Sequence, residues 1–274
     1  HLRRNNRIKS IHSSLAIEAN SLSMDEVRAV VNGKPVIGPQ KEIQEVKNAY
    51  AAYEQIGSFD PYSVEELKRL HGLLTKYTVD ESGAFRRGDE GVFDGDRCIF
   101  MAPPAHLVPQ LMDDLFGWMA HEKESVHPLI LSSVFHYEFV LIHPFSDGNG
   151  RMARLWQTAL LTQWKQVFQY LPIESHIYKF QTEYYNAIST CHVAGNSDAF
   201  IVFMLTMINS TLDEVMQQTV SSASGMSEQV KRLLNMMEYG EAYTAKRIME
   251  LLGLKSKETL RKNYLNPAIK DGFV

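Results

Sequence analysis

Two apolar stripes of helical period run along the middle of this chain, interrupted by a stretch that fits neither. Leu131, Phe135, Phe139 and Ile142 recur at three- and four-residue steps, and Ala153, Trp156 and Leu160 resume the pattern. That spacing is one face of an α-helix. Around the break runs HPFSDGNGRMAR, residues 143–154, with a His, a carboxylate, two glycines and two arginines in twelve positions. Whatever the chain folds into must bring two long buried helices together around this polar turn.

Most other segments also read as helix, so the expected class is all-α. Pro61 precedes SVEELKRLHGLL, where Ser63 is a candidate N-cap and Glu66 completes a capping box. HLVPQLMDDLFGWMAHE is a further amphipathic helix. One region departs from the pattern. EGVF (90–93) and RCIF (97–100) flank Asp94-Gly95-Asp96, and an Asp-Gly pair between short apolar runs signals a β-hairpin. The runs are too short for an independent sheet. They make either an ordinary surface hairpin or a flap whose edge can pair with another chain.

With 274 residues, 45% of them hydrophobic, the chain can bury a core without disulfide or structural metal. Its two cysteines, Cys98 and Cys191, read as free thiols in a reducing, cytoplasmic setting. Neither C-x-x-C nor H-E-x-x-H occurs, so no tightly held transition metal is expected. No run approaches the roughly 18 apolar residues of a membrane span, and HLRRNNRIKS carries no signal-peptide core. A membrane partner is therefore not expected. The net charge of −4 selects no partner and leaves a homo-oligomer open. The small-residue segment SSASG (221–225) is the expected linker, giving regions 1–60, 61–220 and 226–274.

The geometry of the polar turn is partly dictated by its residues. Pro144 keeps His143 out of the helical region. Gly148 and Gly150 permit positive φ and close backbone approach. A helix then begins near Arg151, and its first N–H groups lack intrahelical partners at the positive end of the macrodipole. Such a turn is a ready phosphate site. Arg151 and Arg154, three apart, share a face and can reach one polyphosphate. Asp147 can hold a magnesium ion on phosphate oxygens. His143 is placed to act as a general base, and Phe145 points inward. The plain alternative is a capped inter-helix turn with a stray His and two solvated arginines. The coincidence of His, Asp, Asn, two Gly and two Arg speaks against it.

The stretch resembles the Fic family motif HPFx[DE]GNGRxxR at every defined position, and the likeness extends over roughly residues 10–215. The resemblance implies a helical bundle with a β-hairpin flap and transfer of AMP from ATP to a Tyr, Thr or Ser hydroxyl of a protein. In that scheme His143 takes the hydroxyl proton and Asp147 holds Mg2+. Asn149 and the amides of Gly148 and Gly150 form the anion hole. Arg151 takes the β-phosphate and Arg154 the γ-phosphate. GAFRR (83–87), the hairpin and FMAPP (100–104) correspond to the flap, which would hold the target segment along residues 90–100. EYYNAI (183–188) resembles the segment over the adenine, with Tyr184 and Tyr185 as walls, although a Tyr pair on a helix also suits core packing. Some relatives carry Asn seven residues after the second Tyr; here His192 takes that place. The motif fixes the phosphate chemistry better than the group attached, so UMP or phosphocholine transfer stays open.

SSLAIEAN (13–20) sets Ser14 and Glu18 four apart on one helix face. By itself this suits a solvated face. It resembles the family's inhibitory motif [ST]-x-x-x-E-[GN], with Ala19 in place of Gly or Asn and Asn20 following. The resemblance implies that Glu18 pairs with Arg154 and blocks the γ-phosphate, or orients water for AMP removal.

Residues 226–274 carry a net charge of +3 and read as three short helices, the last two in helix-turn-helix order. They resemble the winged-helix domain often appended to such cores, with the wing incomplete at Gly272-Phe273-Val274. Lys257, Arg261 and Lys262 are candidate DNA contacts, against a packing module as the alternative. The rival to the enzyme is accordingly a DNA-binding regulator with a nucleotide-sensing core.

Overall fold

The computed structural model describes residues 2–94, 97–224, 227–237 and 242–270. It divides into two compact units. One spans 6–211; the other takes the described part of 212–274 together with 2–5.

The larger unit is built on α6 (Pro128–Ile142) and α7 (Asn149–Trp164), which pack most extensively against each other. Leu131, Phe135, Phe139 and Ile142 are buried, as are Ala153, Trp156 and Leu160. In α7 burial is continuous from Arg151 to Thr162, so its polar residues must find partners inside the protein. Trp156 stacks on Phe59 at 5.1 Å and donates its indole N–H to Pro61 O at 3.0 Å.

Around this pair lie α1 (Leu2–Ile17), α2 (Met24–Val31), α3 (Gln40–Tyr53), α4 (Val64–Leu74) and α5 (Val108–Glu122). α1 sends Ile8, Ile11 and Leu15 into the same core. A polar tie also holds it: Ser10 donates to Glu174 at 2.6 Å, and Tyr53 donates to the other oxygen at 2.9 Å. Burial pushes the Glu174 carboxyl up from its ordinary range.

Ser63 caps α4 by accepting from Glu66 N at 3.3 Å. The reciprocal half of the expected box is absent there, because the Glu66 carboxylate pairs with Arg69 at 2.8 Å. A full capping box forms instead at Ser23 and Glu26 on α2.

The hairpin pairs β1 (Gly91–Asp94) with β2 (Arg97–Met101) in antiparallel register, Gly91 opposite Met101, with an irregularity between Val92 and Phe93. Gly95 and Asp96 of the expected turn lie outside the described residues. α8 (Ile173–Lys179), α9 (Gln181–Ala194) and α10 (Asp198–Ser224) follow. α10 continues through 221–224, so the expected linker is helical there; Ser and Ala cost a helix little. By length and mean hydropathy of 1.4, residues Asp198–Gln218 could cross a membrane, a run the sequence reading passed over. One third of that window is buried within the protein. Cys191 is a buried free thiol.

In the second unit α11 (Glu228–Asn235) and α12 (Ala245–Leu252) precede α13 (Lys257–Thr259), a π-helical run Leu260–Leu265 and α14 (Asn266–Lys270). The π-run stands just before Pro267, which lacks an N–H and crowds the preceding turn. Val230, Leu233, Ile248, Leu252, Leu260 and Tyr264 form its core. Lys257, Arg261 and Lys262 are exposed. Residues 272–274, where the incomplete wing was expected, lie outside the described residues.

Because Ile11 is fully buried, Ile11→Ala should cost about 3 kcal/mol of unfolding free energy. Urea denaturation followed by circular dichroism measures it; a change below about 1 kcal/mol would show that α1 is not part of the cooperative core.

Candidate active site

The polar turn is held open by its own side chains. His143 caps α6 in the left-handed region, φ 50°, and its N–H donates to Phe139 O at 3.0 Å. Phe145 is fully buried, stacked face to face on His71 at 3.6 Å. Asn149 uses both ends of its amide on one residue: Phe145 N donates to its oxygen at 2.9 Å, and its NH2 donates to Phe145 O at 2.7 Å. Its side chain therefore shapes the loop. One N–H of the Asn149 amide is thus committed to Phe145 O.

Gly148 adopts φ +82° and α7 starts one residue later. Gly150 is helical and needs no positive φ. Its glycine matters for another reason: a Cβ would lie 2.3 Å from a carboxylate oxygen of Glu18. A carboxylate from the loop after α1 therefore sits against the first turn of α7, where the helix's N–H groups lack intrahelical partners.

That carboxylate is paired. Arg154, with its side chain 1% exposed, donates from Nη2 to Glu18 at 2.7 Å and to Ser14 O at 2.9 Å, and from Nε to Ser14 Oγ at 3.0 Å. Burial works against the charge on Arg154, but Glu18 together with Tyr184 and Tyr53 outweighs it and holds the guanidinium in its charged form. Arg151 is similarly enclosed. It donates to Asp147 at 2.9 Å and meets Glu45 of α3 at 3.2 Å. Glu45 in turn accepts from Asn20 at 2.9 Å. The segment Glu18–Asn20 therefore touches one motif arginine directly and the other through Glu45.

Two guanidinium nitrogens are left over. Arg154 Nη1 and Arg151 Nε are buried without a hydrogen-bond partner. Arg154 Nη1 lies over Gly150, 3.1 Å from where a Cβ would stand. Orphaned buried donors are rare and call for a ligand. Arg154 Nη1 faces the first turn of α7, and an anion such as a phosphate suits it.

Asp147 has one oxygen on Gly148 N at 2.5 Å and the other 4.0 Å from Lys41 Nζ. No group of three or more His, Cys, Asp or Glu gathers for a metal among the described residues. A magnesium ion here would need phosphate oxygens as well as this single carboxylate, which is how Mg2+ is commonly held. Burial pushes the His143 imidazole below its usual range, and the nearby Arg86 cation adds to this, so the ring is neutral at pH 7 and able to accept a proton.

The two tyrosines part company. Tyr184 is buried, donating to or accepting from His136 at 3.0 Å and packed against Phe200 and Phe203. Its burial matches the core-packing alternative for the Tyr pair. Tyr185 is 48% exposed and free to serve as one. His192 is exposed and meets the Phe100 ring of the flap edge-on at 5.3 Å.

Sequence reasoning missed several supports. His71 accepts from Gly83 N at 3.0 Å on Nδ1, so its other nitrogen carries the proton that is donated to Asp147 O at 2.9 Å. Burial pushes its pKa down to about 4. His136 bonds Gln157 at 2.6 Å and is pushed down to about 3 by burial. Arg86 is buried beside His143, donating from Nε to its carbonyl at 2.7 Å. Its place in GAFRR was the only signal. Glu45 lies on an ordinary amphipathic helix and offered none.

The chain matches the Fic/DOC family over residues 61–161 and the Fic-like C-terminal domain (filamentation induced by cAMP protein) over 228–274. Among curated proteins, the protein adenylyltransferase Fic of Culex quinquefasciatus is 29% identical over 219 residues, covering 75% of this chain and 41% of its own. A probable protein adenylyltransferase of Aquifex aeolicus is 29% identical over 157 residues, 55% of this chain and 46% of its own. The chain spans under half the length of these relatives. Among solved structures, a Fic family protein from Desulfovibrio desulfuricans G20 is 43% identical, with TM-score 0.75 over 98% of this chain and 81% of that one. A Fic-domain signalling protein from Bacteroides thetaiotaomicron, 18% identical, has TM-score 0.65 over 77% of this chain and 86% of its own and shares the fold.

Two outcomes are expected. Ala19 sits in the left-handed region at φ 64°, where glycine is at ease, so Ala19→Gly should raise stability by about 1 kcal/mol in urea denaturation; a loss of stability would contradict the strain. His71 has a folded pKa below its unfolded value of about 6.5, so the unfolded chain binds the proton first. Its contribution is complete above pH 6.5 and is lost as pH falls toward 4, about 3 kcal/mol in all. His71→Asn should flatten the decline in unfolding free energy between pH 7 and 4.5; an unchanged slope would show that His71 does not titrate this way.

Proposed function

Because the chain belongs to the Fic family, we propose that it transfers AMP from ATP to a Tyr, Thr or Ser hydroxyl of a target protein, and that Glu18 holds this activity in check. The observation that carries the reading is the pair of orphaned guanidinium donors, Arg154 Nη1 and Arg151 Nε, at the amide-lined start of α7. The names of the relatives, protein adenylyltransferase Fic, supply the group transferred.

The triphosphate lies across the first turn of α7, where the amides and both arginines balance its charge. Arg151 meets the β-phosphate and Arg154 the γ-phosphate. Asp147 would hold a magnesium ion, which would supply positive charge to offset the charge on the leaving group. The target segment pairs with the flap edge and presents its hydroxyl to His143. The neutral imidazole takes the hydroxyl proton as the oxygen attacks the α-phosphorus. One P–O bond forms, the bond to the β-phosphate oxygen breaks, and pyrophosphate leaves. The protein's part is positioning and charge balance, the usual division in phosphoryl transfer.

Glu18 opposes this because its carboxylate occupies the turn and ties up Arg154. Holding such a site 99% closed takes about 3 kcal/mol, within the range of one charge-assisted pair with packing. The target, the cytoplasmic setting and any DNA contact by the second unit belong to the same proposal and rest on likeness alone.

Intact-mass measurement with ATP, GTP and UTP tests it. Glu18→Gly should raise self-modification by AMP ten- to hundredfold, and His143→Ala in that background should abolish it. Equal labelling with and without Glu18 removes the inhibition; labelling undiminished without His143 removes the base; an adduct other than AMP reassigns the group.

A further inference from the structure

We propose that Arg86 is a positioning residue that fastens the His143 turn to both roots of the flap, so that hairpin and imidazole are held as one piece. For catalysis this rests on the transfer reading above; the mechanical link does not.

The geometry is specific. Arg86 is 2% exposed. Its Nε donates to His143 O at 2.7 Å, and Nη2 reaches Ile142 O at 3.4 Å. These are carbonyls at the C-terminal end of α6, where no helical donor remains and negative partial charge gathers. The same guanidinium donates from Nη1 to Gly88 O at 2.8 Å, just before β1, and from Nη2 to Pro103 O, just after β2. The backbone adds one more bond, Arg86 N to Pro144 O at 2.9 Å. Near the roots, Ala102 N donates to Glu90 O at 3.0 Å and Ala105 N to Asp89 at 2.9 Å.

Two marginal elements therefore share one anchor. A two-stranded hairpin is barely stable alone. A non-glycine residue in the left-handed region, as His143 is, persists only when its surroundings fix it. A planar fork with five donors can serve four carbonyls on both sides of the join; a lysine ammonium, with three donors on one atom, cannot. The Arg86 charge also bears on the imidazole. The charged groups acting on His143 are Arg86 and Glu90 from the flap root and Glu18 from the segment after α1. Arg86 favours the neutral ring, and the two carboxylates favour the protonated one.

The test compares full-length protein with Arg86→Lys and Arg86→Gln. Hydrogen exchange reads the amides of His143 and Ala102, one at the turn and one at the flap root. Both should exchange at least tenfold faster in each variant. NMR titration of the labelled His143 imidazole should show a roughly threefold or greater rise in proton affinity for Arg86→Gln and little change for Arg86→Lys. In the Glu18→Gly background Arg86→Lys should cut self-modification at least tenfold while Mg·ATP affinity stays within twofold. Acceleration at one amide alone, or at neither, overturns the link, and an unaltered rate in Arg86→Lys overturns the need for the fork. Should Arg86→Gln fail to fold, the lysine variant decides by exchange and rate. Should the Glu18→Gly parent transfer nothing, the transfer reading fails, while exchange and titration still judge the link.

Discussion

The site depends on a buried cation. Arg154 stands at the centre of the larger unit with its side chain almost wholly removed from water. A lone charge there would be very costly, so the protein must supply an anion or admit one. Glu18 is the resident choice, with Ser14 completing the fork. A triphosphate is the visiting one in our proposal. Glu18 and Arg154 Nη1 both lie over Gly150, so in that proposal the two anions compete for the space beside one guanidinium. The same logic extends to Arg151, whose partners Asp147 and Glu45 are also carboxylates.

Much of this was readable in the residues. The two helices were set by the period of Leu131, Phe135, Phe139, Ala153 and Trp156, because a stripe of that spacing can be buried in only one way. The turn was set by Pro144 and Gly148, which restrict the backbone locally. Ser14 and Glu18 were visible as an i, i+4 pair. What stayed hidden depended on distant partners. Arg86 meets carbonyls up to 57 positions away, and Glu45 meets an arginine on another helix; a charged residue on a helix face carries no mark of such a partner.

Local chemistry also misled in places. Tyr184 and Tyr185 look equivalent in sequence, yet neighbours on a helix diverge by about 100°, so one enters the core while the other faces out. Asn149 reads as an anion donor in sequence, while in the structure both ends of its amide also hold Phe145. Residues 221–224 looked like a linker because small residues permit one, although they also permit a helix, and α10 runs through them.

The tie from Ser10 to Glu174, with Tyr53 on the second oxygen, bears on which part of α1 the proposed inhibition would need to move. It grips α1 in mid-length, alongside the apolar contacts of Ile8 and Ile11. Wholesale departure of that helix would strand a carboxyl in the interior and uncover greasy side chains together. Unwinding confined to the few residues past Leu15 disturbs neither. In the proposed inhibition, then, the part that has to move is only the short tip carrying Glu18, at the end of a helix fixed by its middle.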